Sequence, residues 1–493
     1  MSNETQVAEI DSTQIKDTLL GDILSHSKFS DEDSMQVATN GLKSLLQRVF
    51  ETVGEDDLGD FRVDKRLVEN LIEELDEKLS RQVDAILHHE SFKALEAPWR
   101  SLKFLTNRTN FGENIKVSLL STTKSELFSD FDDAAEITES GMYRKVYTNE
   151  YGQFGGEPFG VVIGNFGFGP ATSDVNLMSY LSSLAAMTHA PFIGAADESF
   201  FGVQKFSELP DLKQIDALFE GPQYAKWRSF RESDDARNLG LTLPRFMLRP
   251  TYGENIPVKS FGYQEKAETD SDYLWGNASF AYATRLTESF AKYRWCPNII
   301  GPQSGGAVQD LSLDVVEEDG LTHMVGPVET PISDRKEYEL SELGFIPLTL
   351  RKDADNAVFF SSNSAQLPRK FANDDEGRQA AINFQLGTQL PYLFIVSRLA
   401  HYVKVLQREN LGGWKSRAEL EAELNRWIRQ YVADQDSPSA ATRSQRPLRK
   451  ANLEVIEVDN DAGWYQVSME VTPHFKFMGA NFTLSLTSML ERA

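Results

Sequence analysis

The chain has 493 residues, with 50 Lys and Arg against 74 Asp and Glu, a formal net charge of −24 at neutral pH. That balance argues against nucleic acid or an anionic membrane surface as partner, since both select basic faces, and it leaves protein partners and cationic ligands. At 41% apolar residues the chain can bury a large core, and its length suggests roughly two to four domains. Cys296 is the one cysteine, so no intrachain disulfide can form, which fits a reducing compartment. The start, MSNETQVAEIDSTQ, lacks the pattern of a secretory signal. No stretch of 18 uninterrupted apolar residues suggests a membrane span, so a cytoplasmic protein is expected.

Residues 1–13 read as a disordered tail, and residues 14–62 as two helices and an acidic linker, Gly54–Asp60. From Val63 to Leu87, Leu67, Leu71, Leu75, Leu79, Val83 and Ile86 form one apolar helical stripe, expected to face a core. His88 and His89 fall at its end, where cations are favoured. Pro98 suits the first turn of the next helix. Ile115–Leu120 reads as a strand, Ser125–Asp130 and Ser140–Glu150 as helices, and Phe159–Gly164 as a buried strand. Gly164, Gly167 and Gly169 then fall in a loop without dinucleotide-binding order. Asp174–Thr188 is a helix and Ala190–Ala195 a strand, so residues 63–376 form a central α/β domain, a mixed α/β and α+β fold whose sheet is covered by helices.

Arginines and aromatics crowd Phe219–Tyr252, among them Trp227, Arg231, Arg245 and Arg249. Interleaved acids make a protein contact or an internal salt-bridge surface the better reading than nucleic acid. Tyr273–Tyr293 reads as a buried helix ended by Pro297, followed by a structural glycine turn, Gly301–Gly306. Residues 310–336 read as acidic loop, with Glu317, Glu318 and Asp319 a solvated cluster lacking calcium-loop spacing. Gly344–Leu350 and Ala357–Phe360 are strands about the turn Asp353–Asn356. Residues 377–493 hold a helix over Ala380–Leu411 kinked at Pro391, and a capped helix opened by Ser416 and Glu419. A hairpin follows, Leu453–Val458 and Trp464–Val471, in which Tyr465, Val467, Met469 and Val471 share one face. A hairpin alone is marginal in water, so it needs a sheet in its own domain or a strand from elsewhere. No catalytic, metal or cofactor constellation is evident; His189, His323, His401 and His474 are isolated. A soluble α/β protein binding peptides or sugars is the alternative in another class.

TRLTESFAKYRWCPNIIGPQSGGAV, LEAPWRSL, DLKQIDALFEGPQYAKW, LGTQLPYLFIVSRLAHYVKVLQREN and PHFKFMGANFTLSL lie within one near-full-length match. Together they resemble the large subunit of the type VI secretion contractile sheath, the TssC/VipB-like family. The resemblance implies a structural protein without enzymatic activity or cofactor. It implies a heterodimer with a small sheath subunit, a helical polymer of further copies around an inner tube protein on a baseplate, and contraction that propels the tube into a target cell. An AAA+ unfoldase recycles such sheaths, mainly through the small subunit. The resemblance further implies exchanged strands: Leu453, Val455, Tyr465, Val467, Met469 and Val471 of the hairpin would join an intermolecular sheet with a neighbour's N-terminal linker, Leu58, Phe61 and Val63 here. A sheath from another contractile tail is the nearest rival.

Overall fold

The computed structural model describes residues 65–253, 256–259, 261–318, 321–351, 355–372, 374–409, 416–433, 435, 438–457, 465–474 and 484–489, besides Gln36 and Gly41. The chain divides into two units, one of Met1–Ala85 with Tyr252–Glu265, the other of Ile86–Thr251 with Lys266–Ala493.

In the first unit, helix α1 (Lys65–Leu87) forms as its spacing predicts. Its apolar stripe is not core-facing, however: Leu75, Leu79 and Ile86 are exposed. The 252–265 segment reaches α1 through hydrogen bonds, Gly262 N–H donating to Asp76 at 3.1 Å and Tyr263 O–H to Asp84 at 2.7 Å.

The second unit is built on a six-stranded sheet in the order β1 (Val162–Phe168), β2 (Phe192–Ala196), β3 (Leu239–Leu243), β9 (Phe345–Leu350), β10 (Ala357–Phe359), β6 (Ala307–Val308). The first four run parallel, and β10 is antiparallel to both β9 and β6. Every residue of β2 and β3 is buried, as parallel strands covered on both faces require. Successive side chains alternate between two cores. Phe192, Leu241 and Phe345 meet α4 (Thr172–Thr188) and α5 (Ala225–Glu232) on one face. Ile193, Ile346 and Leu348 meet α6 (Ala278–Tyr293) and the start of α9 (Leu390–Glu409) on the other. Gly240 faces that second core, where a Cβ would come within 2.8 Å of both Ile193 and Leu390. The glycine is what lets α9 seat on the sheet. The remaining elements are α2 (Glu90–Asn107), α3 (Lys124–Asp132), the pair β4 (Phe246–Arg249) and β5 (Leu274–Gly276), the pair β7 (Asp314–Glu318) and β8 (Leu321–Val325), and α7 (Asp334–Glu342). α8 (Asp375–Gly387), α10 (Arg417–Ile428) and the C-terminal sheet of β11 (Leu448–Glu457), β12 (Tyr465–Pro473) and β13 (Leu484–Met489) complete it.

Several elements depart from expectation. His88 and His89 follow the end of α1 as expected, and His89 also caps the start of α2, its Nδ1 accepting from Ser91 N–H at 3.2 Å; Pro98 lies inside α2 and not at its start. Ile115–Leu120 is not a paired strand, and most of it is exposed. β1 begins later than expected and takes in Gly164 and Gly167; a Cβ at Gly164 would strike the Phe192 ring of β2. Residues 274–276 are strand and not helix, because Asn277 caps α6 by accepting from Ser279 N–H at 2.9 Å. α6 stops at Arg294, whose φ of 66° is left-handed, before Pro297 is reached. The acidic loop holds the hairpin β7–β8; the Asp-Gly pair at 319–320 is a hairpin signal in the sequence that the acid run obscured. The long helix is two helices, with Pro391 in the first turn of α9, where its missing N–H goes unneeded.

The arginine and aromatic segment turns inward. Tyr224, Trp227 and Phe230 are core residues. Buried Arg231 donates to the carbonyls of Ala365 at 2.9 Å and Glu342 at 3.2 Å, and burial lowers its pKa to about 10. Arg245 holds Glu329 at 2.6 and 2.7 Å and also pairs with Glu198. The internal alternative is therefore the one realised. Phe345 stands at the centre of this core, its ring 5.2 to 6.3 Å from those of Phe200, Phe201, Phe219 and Trp227. Phe345→Ala is expected to cost about 3–5 kcal/mol of stability in urea unfolding; a loss below about 1 kcal/mol would contradict this packing.

Candidate assembly site

The C-terminal hairpin exists and is extended. β11 pairs antiparallel with β12, Leu453 opposite Met469 and Val455 opposite Val467, and β13 adds a third strand to β12. The alternation read from the sequence sorts the two faces. Leu453, Val455, Val467, Met469 and Val471 are buried against α9 and α10, with Ile395, Leu399, Leu424 and Ile428 as neighbours in one cluster. Asn452, Glu454 and Glu470 point to solvent. The five apolar residues therefore fill the chain's own core, and what this sheet can offer a neighbour is backbone at its edges. Tyr465 pairs with Glu457 at the end of the ladder. Leu58, Phe61 and Val63 lie outside the described residues.

The two edges differ. Along β11, polar side chains of α10 stand where a strand would. Asn425 donates from Nδ2 to the Leu453 carbonyl at 2.6 Å and accepts from Leu453 N–H at 3.0 Å. Glu421 accepts from Val455 N–H at 3.3 Å, and Arg417 donates to the Val455 carbonyl at 3.1 Å. Residues 417, 421 and 425 follow one another at four-residue steps, one stripe of the helix, beside the apolar stripe of Leu420, Leu424 and Ile428. At the start of β11, Val432 bridges Leu448, and Ala433 N–H donates to the Leu448 carbonyl at 2.9 Å. No strand lies beyond β13 among the described residues. The polar stripe of α10 was readable from its spacing; that it satisfies a strand edge was not. α10 itself opens with the expected capping box of Ser416 and Glu419.

The rival catalytic readings find no support in the geometry. Burial pushes the Cys296 thiol up to about 12, which suppresses the thiolate. The glycine turn is structural: Gly301 and Gly305 have φ of 79° and 100°, and a Cβ on Gly305 would strike the Asn298 carbonyl. No group of three metal-ligating side chains occurs among the described residues. His189 and His401 do come together, ring centroids 6.2 Å apart, but in a packed aromatic cluster. Tyr151 stacks edge-on to both, and Lys404 Nζ lies 4.2 Å from the Tyr151 ring centroid. His401 Nε2 bonds the Thr188 carbonyl at 2.9 Å, while its Nδ1 has no hydrogen-bond partner. His474 follows β12 and bonds through its backbone to Pro447, and His323 sits on β8.

The match to known proteins covers both parts of the chain. Residues 69–366 fit the family model described as EvpB/VC_A0108, tail sheath N-terminal domain, and residues 379–490 fit the EvpB/VC_A0108 tail sheath gpW/gp25-like domain. The chain belongs to the type VI secretion tail sheath family. It is 38% identical to the type VI secretion system sheath protein TssC1 of Pseudomonas aeruginosa over 433 residues, 86% of each chain. The large-subunit assignment therefore holds. Weaker likenesses are to a sheath tail protein of Listeria innocua (8% identity, 77% of this chain and 62% of that chain, TM-score 0.35) and to the contracted helical sheath of the anti-feeding prophage (10%, 66% and 64%, TM-score 0.27). No helix among the described residues of this sheath subunit is long and apolar enough to cross a membrane.

Two measurements check the geometry of this site. Asn425→Ala strands the N–H and carbonyl of Leu453 and is expected to cost about 1–3 kcal/mol in urea unfolding; an unchanged midpoint would contradict the edge closure. Burial lowers His401 to about 3 and His189 to about 4, from an ordinary 6.5. Both are neutral when folded, so their contribution is complete above pH 6.5 and is lost as pH falls toward 4, by about 1.4 kcal/mol per unit for each. His189 is a left-handed helix cap with φ of 51°, a conformation asparagine tolerates. His189→Asn should therefore flatten the fall in stability between pH 7 and 5, and an unchanged fall would contradict it.

Proposed function

We propose that this chain is the mechanical large subunit of a cytoplasmic contractile sheath and not an enzyme. It pairs with a small sheath subunit, and the pairs polymerise helically around an inner tube on a baseplate. Contraction drives the tube into a target cell, and an AAA+ unfoldase recycles the spent polymer, mainly through the small subunit. The observation that carries this reading is the sequence match to the sheath family across both of its domains.

Strand addition supplies the linkage between protomers in this reading. Main-chain bonding at an open edge holds two bodies together while a linker lets them move apart. With β11 closed by α10, the strands brought by a neighbour's Leu58–Val63 linker and by the small subunit join the C-terminal sheet at its β13 edge. Packed interfaces switch between discrete arrangements and do not deform continuously, so such hinged joints suit an assembly that shortens in steps.

Negative-stain microscopy of the chain co-expressed with its small sheath partner tests both levels. Long hollow tubules are expected from the unchanged pair. Phe61→Pro with Val63→Pro, which removes two strand donors, is expected to leave the pair and abolish the tubules. No tubules from the unchanged pair would overturn the sheath role, and tubules unaffected by the prolines would overturn the linker's part in it.

A further inference from the structure

A segment of stacked tyrosines meets α9. The helical turns Gly141–Tyr143 and Arg144–Thr148 carry Tyr143 and Tyr147, and Tyr151 follows. Their rings form a ladder, with 4.9 Å between the centroids of Tyr143 and Tyr147 and 5.0 Å between those of Tyr147 and Tyr151. α9 holds this ladder with cations. Lys404 Nζ lies 4.5 Å from the Tyr147 centroid and 4.2 Å from that of Tyr151, and donates to the Tyr147 hydroxyl. Arg408 donates to the carbonyls of Tyr151 and Gln153. Two imidazoles stand against Tyr151, His189 at the end of α4 and His401 on α9, each edge-on to its ring. His401 is only 2% exposed, and its Nε2 is taken by the Thr188 carbonyl.

This seam gathers cations around the two histidines. Lys404 acts on both imidazoles and Arg398 on His401, and no carboxylate acts on either among the described residues. The tyrosine segment faces them with the Tyr151 phenol. Asp235, on the turn packed against α4, accepts from the Ser183 hydroxyl at 2.6 Å. A proton added to either ring therefore meets like charge and an aromatic wall in place of an acid. We propose that the seam between residues 144–151 and α9 is an acid-sensitive latch, closed while His189 and His401 are neutral and opened by their protonation while the central sheet stays folded. The part that yields is the tyrosine segment. α4 and the start of α9 are built into the two cores of the central sheet. Between residues 144 and 156, by contrast, only Val146 and Tyr151 are buried, and a thinly buried segment opens at lower free energy than the whole domain. Burial holds both histidines below their ordinary 6.5 in the closed state. The closed latch is thus fully favoured above pH 6.5 and loses ground as pH falls toward 4.

Hydrogen–deuterium exchange of the full chain at pH 7 and pH 5, read as protection after correction for the intrinsic pH dependence of exchange, tests the latch. The amides to follow are those of Asn149, Tyr151 and Gly152, which bond the carbonyls of Arg144 and Tyr147. Their protection should fall about tenfold or more between the two pH values, while the amides of β2 and β3 keep theirs. His189→Asn with His401→Gln, whose amide keeps a donor for the Thr188 carbonyl, should remove most of that fall. Where the double variant does not fold, His189→Asn alone should lessen it. Equal protection of the segment at both pH values would overturn the latch. Loss in the segment and the sheet together would make the event an unfolding of the whole domain. A loss undiminished by His189→Asn would assign it to carboxylates elsewhere, and either result overturns the proposal.

Discussion

A strand that ends a sheet leaves a row of backbone donors and acceptors that something must satisfy. In this sheath subunit that constraint is met differently at each edge. At β11 a helix meets it: Asn425 presents an amide to Leu453 much as a neighbouring strand would, and Glu421 and Arg417 treat Val455 likewise. At β1 no strand lies beyond the edge among the described residues, and Lys124 at the start of α3 reaches the Gly167 carbonyl. A protein that works alone has reason to close such edges, and one that works in a polymer has reason to leave selected edges open.

Helix α9 ties the central sheet to the C-terminal one. Its first turns, Leu390, Leu393 and Phe394, pack into the core behind β3 and β9. Its middle, Ile395, Val396, Leu399 and Val403, packs with α10 and the C-terminal sheet. The seat on the sheet depends on Gly240, whose missing side chain makes room for Leu390. One rigid helix shared by two cores means that a load on the C-terminal sheet reaches the central sheet through packed side chains, which resist compression.

Legibility in the sequence followed the range of the forces involved. β2, β9 and β10 were readable because continuous apolar runs suit strands buried on both faces, and the capping box at Ser416 because its bonds are local; β3 went unread inside the arginine- and aromatic-rich segment. Boundaries failed where a distant partner decides. Gly164 belongs in a strand because of Phe192 on β2, and Leu274–Gly276 is strand because β4 lies beside it. The stripe on α1 was visible, but periodicity cannot say whether a chain covers its own stripe. The hairpin residues were found by alternation. That their side chains fill the chain's own core depends on α9 and α10, which no local pattern joins to them. The three side chains that close β11 sit on a visible helical spacing whose target lies some thirty residues onward.

The most direct test of this account is an electron cryomicroscopy map of the polymer formed with the small subunit, at a resolution that separates strands about 4.8 Å apart. The account predicts a foreign strand added at the β13 edge of the C-terminal sheet, with Arg417, Glu421 and Asn425 still seated on β11. A β13 edge without a partner strand, or α10 lifted away with a foreign strand against β11, would contradict it.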